Sequence, residues 1–198
     1  MRWWPDKSGL SPRTKWIRSR CSTPGVTILD IGAHNGDVFA GSGLSVTLLD
    51  INGYPPTEYP RVVADAHSLP FPDGSFDICC LNEILEHVHD PALVLREACR
   101  VAQQKVVFTV PSEHHWADEA QPFKSLETTL TERGLTEEEH FWVSNPTCTQ
   151  FNDMSQIGHR RYYDFHLLQK QFKPLGLQYS VMLITNGALV CWCGEIYK

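Results

Sequence analysis

The sequence predicts an α/β fold: a doubly wound sheet, mostly parallel, that closes with an antiparallel hairpin at its C-terminal end. Three observations predict it. Short apolar runs alternate with helix-forming stretches along the chain. Two of the runs carry an acid at or near their ends and break into turns: residues 26–31 hold Asp30 and break at Gly32 and Gly36, and residues 45–49 are followed by Asp50. Near the end, residues 177–185 and 188–197 flank Asn186-Gly187, the strongest short hairpin signal.

Taken in order, the first 24 residues form an N-terminal helical segment with a helix over about 12–21. Arg2, Lys7, Arg13, Lys15, Arg18 and Arg20 face a single acid, Asp6, with Trp3, Trp4 and Trp16 among them. We read this as a solvated helix whose tryptophans dock on the core, in preference to a lip that attracts an anionic substrate. Strands are expected near 26–31, 45–49, 61–64, 76–81 and 105–110. Asp90-Pro91 starts a helix, acid at the N-cap and proline at the first helical position. That helix runs to about Ala102, with Leu93, Val94, Ala98 and Val101 on its buried face. Residues 111–161 are too long for a plain connection. They are polar, hold Trp116, Phe123, Phe141 and Trp142, and contain a helix near 135–141 whose early acids suit the helix dipole. We expect this insertion to be a lid above the carboxyl ends of the strands, within one domain spanning 1–198.

Composition narrows the function classes. A net charge of −6 argues against general nucleic-acid binding, and DNA is not an expected partner. No apolar stretch approaches the roughly 18 residues of a membrane span, and no signal-peptide core is present. The seven cysteines are odd in number and scattered, which reads as reduced thiols in a cytoplasmic protein. Cys191-x-Cys193 lacks the spacing and further ligands of a zinc site, so it reads as core packing. The pattern leaves the oligomeric state open.

The chemistry lies in the strand ends. A strand that stops in Gly32 and Gly36 lets a ligand approach the backbone where a Cβ would block it. An acid at the tip of the second strand, Asp50, is placed for ribose hydroxyls. The dinucleotide fingerprint is excluded because the required third glycine is missing, which makes a nicotinamide dehydrogenase the weakest reading. Further blocks follow: Val62-Val63-Ala64-Asp65-Ala66, then Leu69-Pro70-Phe71-Pro72-Asp73-Gly74-Ser75-Phe76-Asp77, then Asn82-Glu83-Ile84-Leu85-Glu86-His87-Val88.

In order and spacing these blocks resemble a class I S-adenosylmethionine (SAM) dependent methyltransferase of the broad small-molecule, type 11-like kind. The resemblance runs from about Thr27 to Val110. It implies a Rossmann-like, seven-stranded sheet and SAM as cofactor. It further implies that Asp30, Gly32, His34 and Gly36 wrap the amino-acid end of SAM, and that Asp50, with Ile51 beside it, takes the ribose. Asp65 and Ala66 would meet the adenine, and Asn82 and Glu83 would line the methyl-transfer site. His34 stands where the family usually has glycine, and the stretch from Gly36 to Asp50 is about a turn shorter than usual, leaving little helix between Asp37 and Ala40.

Methyl transfer to a hydroxyl needs a base, and Glu83, His114 and His115 are the candidates at strand tips. If a helix begins at Glu83, then Glu83, Glu86 and His87 share one face and suit Mg2+ or Mn2+. This resembles the metal signature of small-RNA 2′-O-methyltransferases and of some ubiquinone-pathway O-methyltransferases, with His159 as the further histidine. The same wording is common in metal-independent relatives, where the histidine packs near the cofactor. The resulting expectation is methyl transfer to a small molecule, with oxygen as the acceptor atom. The alternatives are a metal-assisted 2′-O-methyltransferase of RNA and a SAM-binding protein without catalysis.

Overall fold

A computed structural model of the chain describes residues 9–112, 163, 165–176, 178–185 and 190–197. The insertion at 111–161 beyond Ser112, its helix near 135–141, and His114, His115, His159 and the Asn186-Gly187 turn lie outside the described residues.

Helix α1 (Pro12–Cys21) starts where Ser11 accepts the Thr14 amide at 3.1 Å and Pro12 supplies a first residue that needs no hydrogen bond. Five parallel strands follow: β1 (Thr27–Ile31), β2 (Ser45–Asp50), β3 (Arg61–Val63), β4 (Phe76–Asn82) and β5 (Ala102–Pro111). Helix α2 (Pro91–Val101) lies between β4 and β5, capped by Asp90, whose Oδ1 accepts the Leu93 amide at 2.9 Å. Helix α3 (Phe165–Phe172) and a short 3-10 turn (Lys173–Leu175) precede β6 (Gln178–Thr185) and β7 (Val190–Tyr197). The sheet has seven strands in the order β3-β2-β1-β4-β5-β7-β6, with β7 antiparallel to both neighbours. Successive strands are added in one direction from β1 to β3 and in the other from β4 onward, so the junction between β1 and β4 is the switch point where open α/β sheets leave a crevice at the carboxyl ends of their strands.

Alternation along the strands builds two cores. Leu29, Ile31, Cys79, Leu81, Val106 and Phe108 face α2 and α3. Ile28, Val46, Leu48, Ile78, Cys80 and Val107 face the opposite side, where Ile17 and Cys21 of α1 and Phe39 cover them. The connection from β1 to β2 contains turns and no helix. Helix α1 does that covering: Arg18 donates from Nε to the Val38 carbonyl at 2.6 Å and from Nη2 to the Ala40 carbonyl at 2.8 Å. Trp16 packs partly against this core, as the sequence led us to expect.

Three expectations need adjustment. Strand β5 begins at Ala102, because α2 runs into it without a loop. On α2, Leu93 is only half-buried and Leu95 is fully buried, since the apolar stripe centres on Val94, Leu95, Ala98 and Val101. The segment after β4 is a set of turns and not a helix, with Glu83 in the left-handed region at φ 53°. Among the described residues all six cysteines are buried and unbridged, and no helix is long and apolar enough to cross a membrane.

Gly194 on β7 sits where a Cβ would strike the Phe108 ring and approach the Ser180 carbonyl oxygen to 2.6 Å. Because a backbone oxygen cannot step aside, Gly194→Ala is expected to lower unfolding stability by about 3 kcal/mol. Urea denaturation monitored by circular dichroism checks this; an unchanged midpoint would contradict the packing described.

Candidate functional site

At the carboxyl ends of β1, β2, β3 and β4 lies a cleft of about 380 Å3, in the range of small-molecule sites. Its walls include Gly32, His34, Asp50, Ile51, Asp65, Ala66, Glu83 and His87, all singled out from the sequence. They also include Asn52, Tyr54, His67, Ile84, Val88 and His89, which were not.

Asp50 organises the centre. It is 8% exposed, and its two oxygens each accept one backbone amide: Oδ2 from His34 at 2.9 Å and Oδ1 from Asn52 at 3.0 Å. Each carboxylate oxygen keeps acceptor capacity, so the group can take two further hydroxyls. The first loop is pinned to the end of β2 from the other side, where the Gly32 and Ala33 amides donate to the Leu49 carbonyl at 2.8 and 3.0 Å. Gly32 and Gly36 have φ of 72° and 83°, and a Cβ on Gly36 would come within 2.7 Å of Leu48. His34 adopts the same left-handed region at φ 47°, so the histidine keeps the turn that a glycine would make. Its ring rests on Tyr54 with centroids 4.4 Å apart, and Tyr54 in turn covers the Arg61 guanidinium at 5.4 Å.

Asp30 and Gly36 lie beneath the loop and do not line the cleft. Asp30 is 1% exposed, and burial pushes its carboxyl up to about 7, with the Asp50 charge adding to the rise and the Cys80 thiol hydrogen bond and Arg61 pulling it down. Asn82 turns aside to accept the Thr109 hydroxyl at 2.9 Å.

Asp65 sits at the mouth, 55% exposed at its side chain. Hydrogen bonds from the backbone and ring of His67 hold its carboxyl below the usual range. The adjoining loop is fastened to α2 by Arg100, which donates to the Phe71 carbonyl at 2.8 Å and the Leu69 carbonyl at 3.1 Å while pairing with Glu97 at 2.8 Å. The Leu69 amide returns the bond to Glu97 at 2.9 Å.

Glu83 forms the far wall. Its amide donates to the Thr109 carbonyl at 3.0 Å, and its carboxylate pairs with Arg13 of α1 at 3.0 Å. Burial pushes this carboxyl up, and Arg13 offsets part of the rise. Arg13 also reaches the Cys191 sulfur at 4.0 Å, and burial pushes that thiol up to about 11. Nothing in the sequence joins Arg13 to Glu83, because they meet only through the docking of α1. Cys193 is fully buried in the sheet.

The shared helical face expected for Glu83, Glu86 and His87 does not form, because the segment turns at Glu83 and continues as turns. Glu86 is fully buried, 3.8 Å from His87. Among the described residues no group of three His, Cys, Asp or Glu side chains is arranged to hold a metal ion.

Comparison with known proteins agrees with this geometry. Residues 29–110 match the family model described as a methyltransferase domain. A ubiquinone biosynthesis O-methyltransferase from Pseudomonas paraeruginosa is 31% identical over 125 residues, covering 52% of this chain and 53% of its own. One from Pseudomonas entomophila is 30% identical with the same coverage. The chain thus spans about half the length of the curated relatives it matches. Among solved structures, the YcgJ protein of Bacillus subtilis superposes with a TM-score of 0.63 at 16% identity, over 93% of this chain and 97% of that one. The magnesium protoporphyrin IX methyltransferase of Synechocystis with bound S-adenosylhomocysteine gives 0.58 at 12% identity, over 94% and 80%. At these identities the structural likeness establishes the fold.

The raised Asp30 carboxyl makes a stability prediction. The folded state holds this proton more tightly than the unfolded chain, so stability present near pH 4 is lost as pH climbs toward 7. Asp30→Asn removes that loss and is expected to stabilise the protein at pH 8 by about 2–4 kcal/mol, with the gain vanishing near pH 4. Urea unfolding from pH 4 to 8 measures it; identical pH slopes for both proteins would contradict the assignment.

Proposed function

We propose that this chain, whose residues 29–110 match a methyltransferase-domain model, is a class I SAM-dependent methyltransferase that transfers a methyl group to a small-molecule acceptor, and that the acceptor atom is oxygen. The observation that carries the cofactor reading is Asp50, a carboxylate braced by two amides at the tip of β2 with capacity left for a diol. When bound, SAM supplies an electrophilic methyl carbon on a sulfonium.

The chain's own residues have three tasks. Asp50 holds the ribose hydroxyls, and Gly32 and the His34 turn allow the backbone to approach the amino-acid end. Ile51 and Ala66 flank the adenine, and Asp65 accepts from its exocyclic amine. Glu83 would accept the proton of an acceptor hydroxyl positioned beside it, the methyl group being what SAM would supply there. A carboxyl whose affinity for protons is raised by burial is better matched to that task than a solvated one. Oxygen as acceptor is further supported by the relatives named ubiquinone biosynthesis O-methyltransferases. The RNA-type reading loses the feature it rested on, since the helical metal face is absent. Of the two departures behind a non-catalytic reading, the left-handed turn at His34 is kept, while the connection after it holds no helix.

Calorimetric titration with S-adenosylhomocysteine tests the cofactor site. We expect micromolar binding, with Asp50→Ala weakening it by about 100-fold, the order expected from losing two charge-assisted hydrogen bonds. Equal affinity in the variant would contradict the site. Methyl-tritiated SAM offered with phenols, alcohols, amines and thiols tests the acceptor atom: label on hydroxyl compounds, lost in Glu83→Gln, is the expected result, and label on amines alone would overturn oxygen.

A further inference from the structure

His67 was not a candidate from the sequence, yet both of its ring nitrogens are committed. Nδ1 lies 2.7 Å from Asp65 Oδ1, and Nε2 accepts the Asp90 backbone amide at 3.2 Å. The partners dictate the tautomer. A backbone amide can only donate, so Nε2 carries a lone pair; an ionised carboxylate can only accept, so Nδ1 carries the hydrogen. The His67 amide adds a second bond to the same Asp65 oxygen at 2.9 Å. Oδ1 is therefore saturated, while Oδ2 receives no bond from His67. Because the Asp65 side chain is 55% exposed, little else among the described contacts fixes its rotamer.

We infer that His67 is a positioning residue for adenine recognition: its imidazole clamps one oxygen of Asp65 so that the other is presented to the exocyclic amine of the base. This deepens, and rests on, the reading of the cleft as a SAM site. The ring acts through Asp65, since neither of its nitrogens is left to bond a ligand. The second bond gives the clamp its anchor. Asp90 caps α2 and is itself fixed by the Leu93 amide, so the ring spans from the adenine loop to a rigid helix start. The same strut ends the segment that begins at Glu83. The adenine side of the cleft and the wall holding the proposed base are thus tied at one point.

The test compares S-adenosylhomocysteine with S-inosylhomocysteine, which carries a carbonyl in place of the exocyclic amine. For the wild type we expect a preference for the adenosyl ligand. His67→Leu keeps the bulk but removes both ring bonds, and should weaken S-adenosylhomocysteine about tenfold while changing S-inosylhomocysteine less than about twofold. His67→Asn returns an N–H near the position of Nδ1 and should restore most of the preference. A His67→Leu variant that weakens both ligands equally, or neither, would overturn the inference. A wild type that binds neither ligand overturns the cleft reading and this inference with it. Should His67→Leu fail to fold, nitrogen NMR of the wild type decides: a proton on Nδ1 supports the clamp, and a proton on Nε2 alone overturns it.

Discussion

The braced carboxylate of Asp50 is the constraint on which the site depends. Its two amide bonds join the turn after β1 to the turn after β2, two segments that are adjacent only because their strands are paired in parallel register. A carboxylate 8% exposed would be costly without such partners. With them it becomes a fixed pair of acceptors at the mouth of the sheet's switch point. The left-handed turns at Gly32, His34 and Gly36 follow from it, since the His34 amide must point back at Asp50 while the chain reverses.

Around this centre the molecule solves a covering problem in its own way. The β1–β2 connection makes turns only, so the sheet face beneath it needs another cover. Helix α1 supplies it through Ile17 and Cys21, and Arg18 satisfies the loop carbonyls that a helix would have bonded internally. One consequence reaches the chemistry. Docking α1 in this place also delivers Arg13 to Glu83, so an element that serves the core sets the electrostatics of the cleft wall.

Much of this was legible in the sequence. The short apolar runs marked five parallel strands within a few residues, and the flanks of Asn186-Gly187 marked β6 and β7, because continuous apolar runs and turn chemistry are local signals. Gly32, Asp50 and Asp65 were readable because each sits where a strand stops. What stayed hidden was set by tertiary contact. Arg13 meets Glu83 across 70 positions of sequence spacing that no periodicity links. His67 took its role from Asp90 at the start of another helix. The helical reading of Glu83 to His87 failed because the backbone reverses at Glu83, with its amide held by Thr109 of β5, a partner invisible to local pattern.

The most direct test of the central claim is a crystal structure of the chain with S-adenosylhomocysteine. The account predicts both ribose hydroxyls within hydrogen-bonding distance of Asp50, with the His34 and Asn52 amides still on that carboxylate. A ligand seated elsewhere, with Asp50 facing only its two amides, would contradict it.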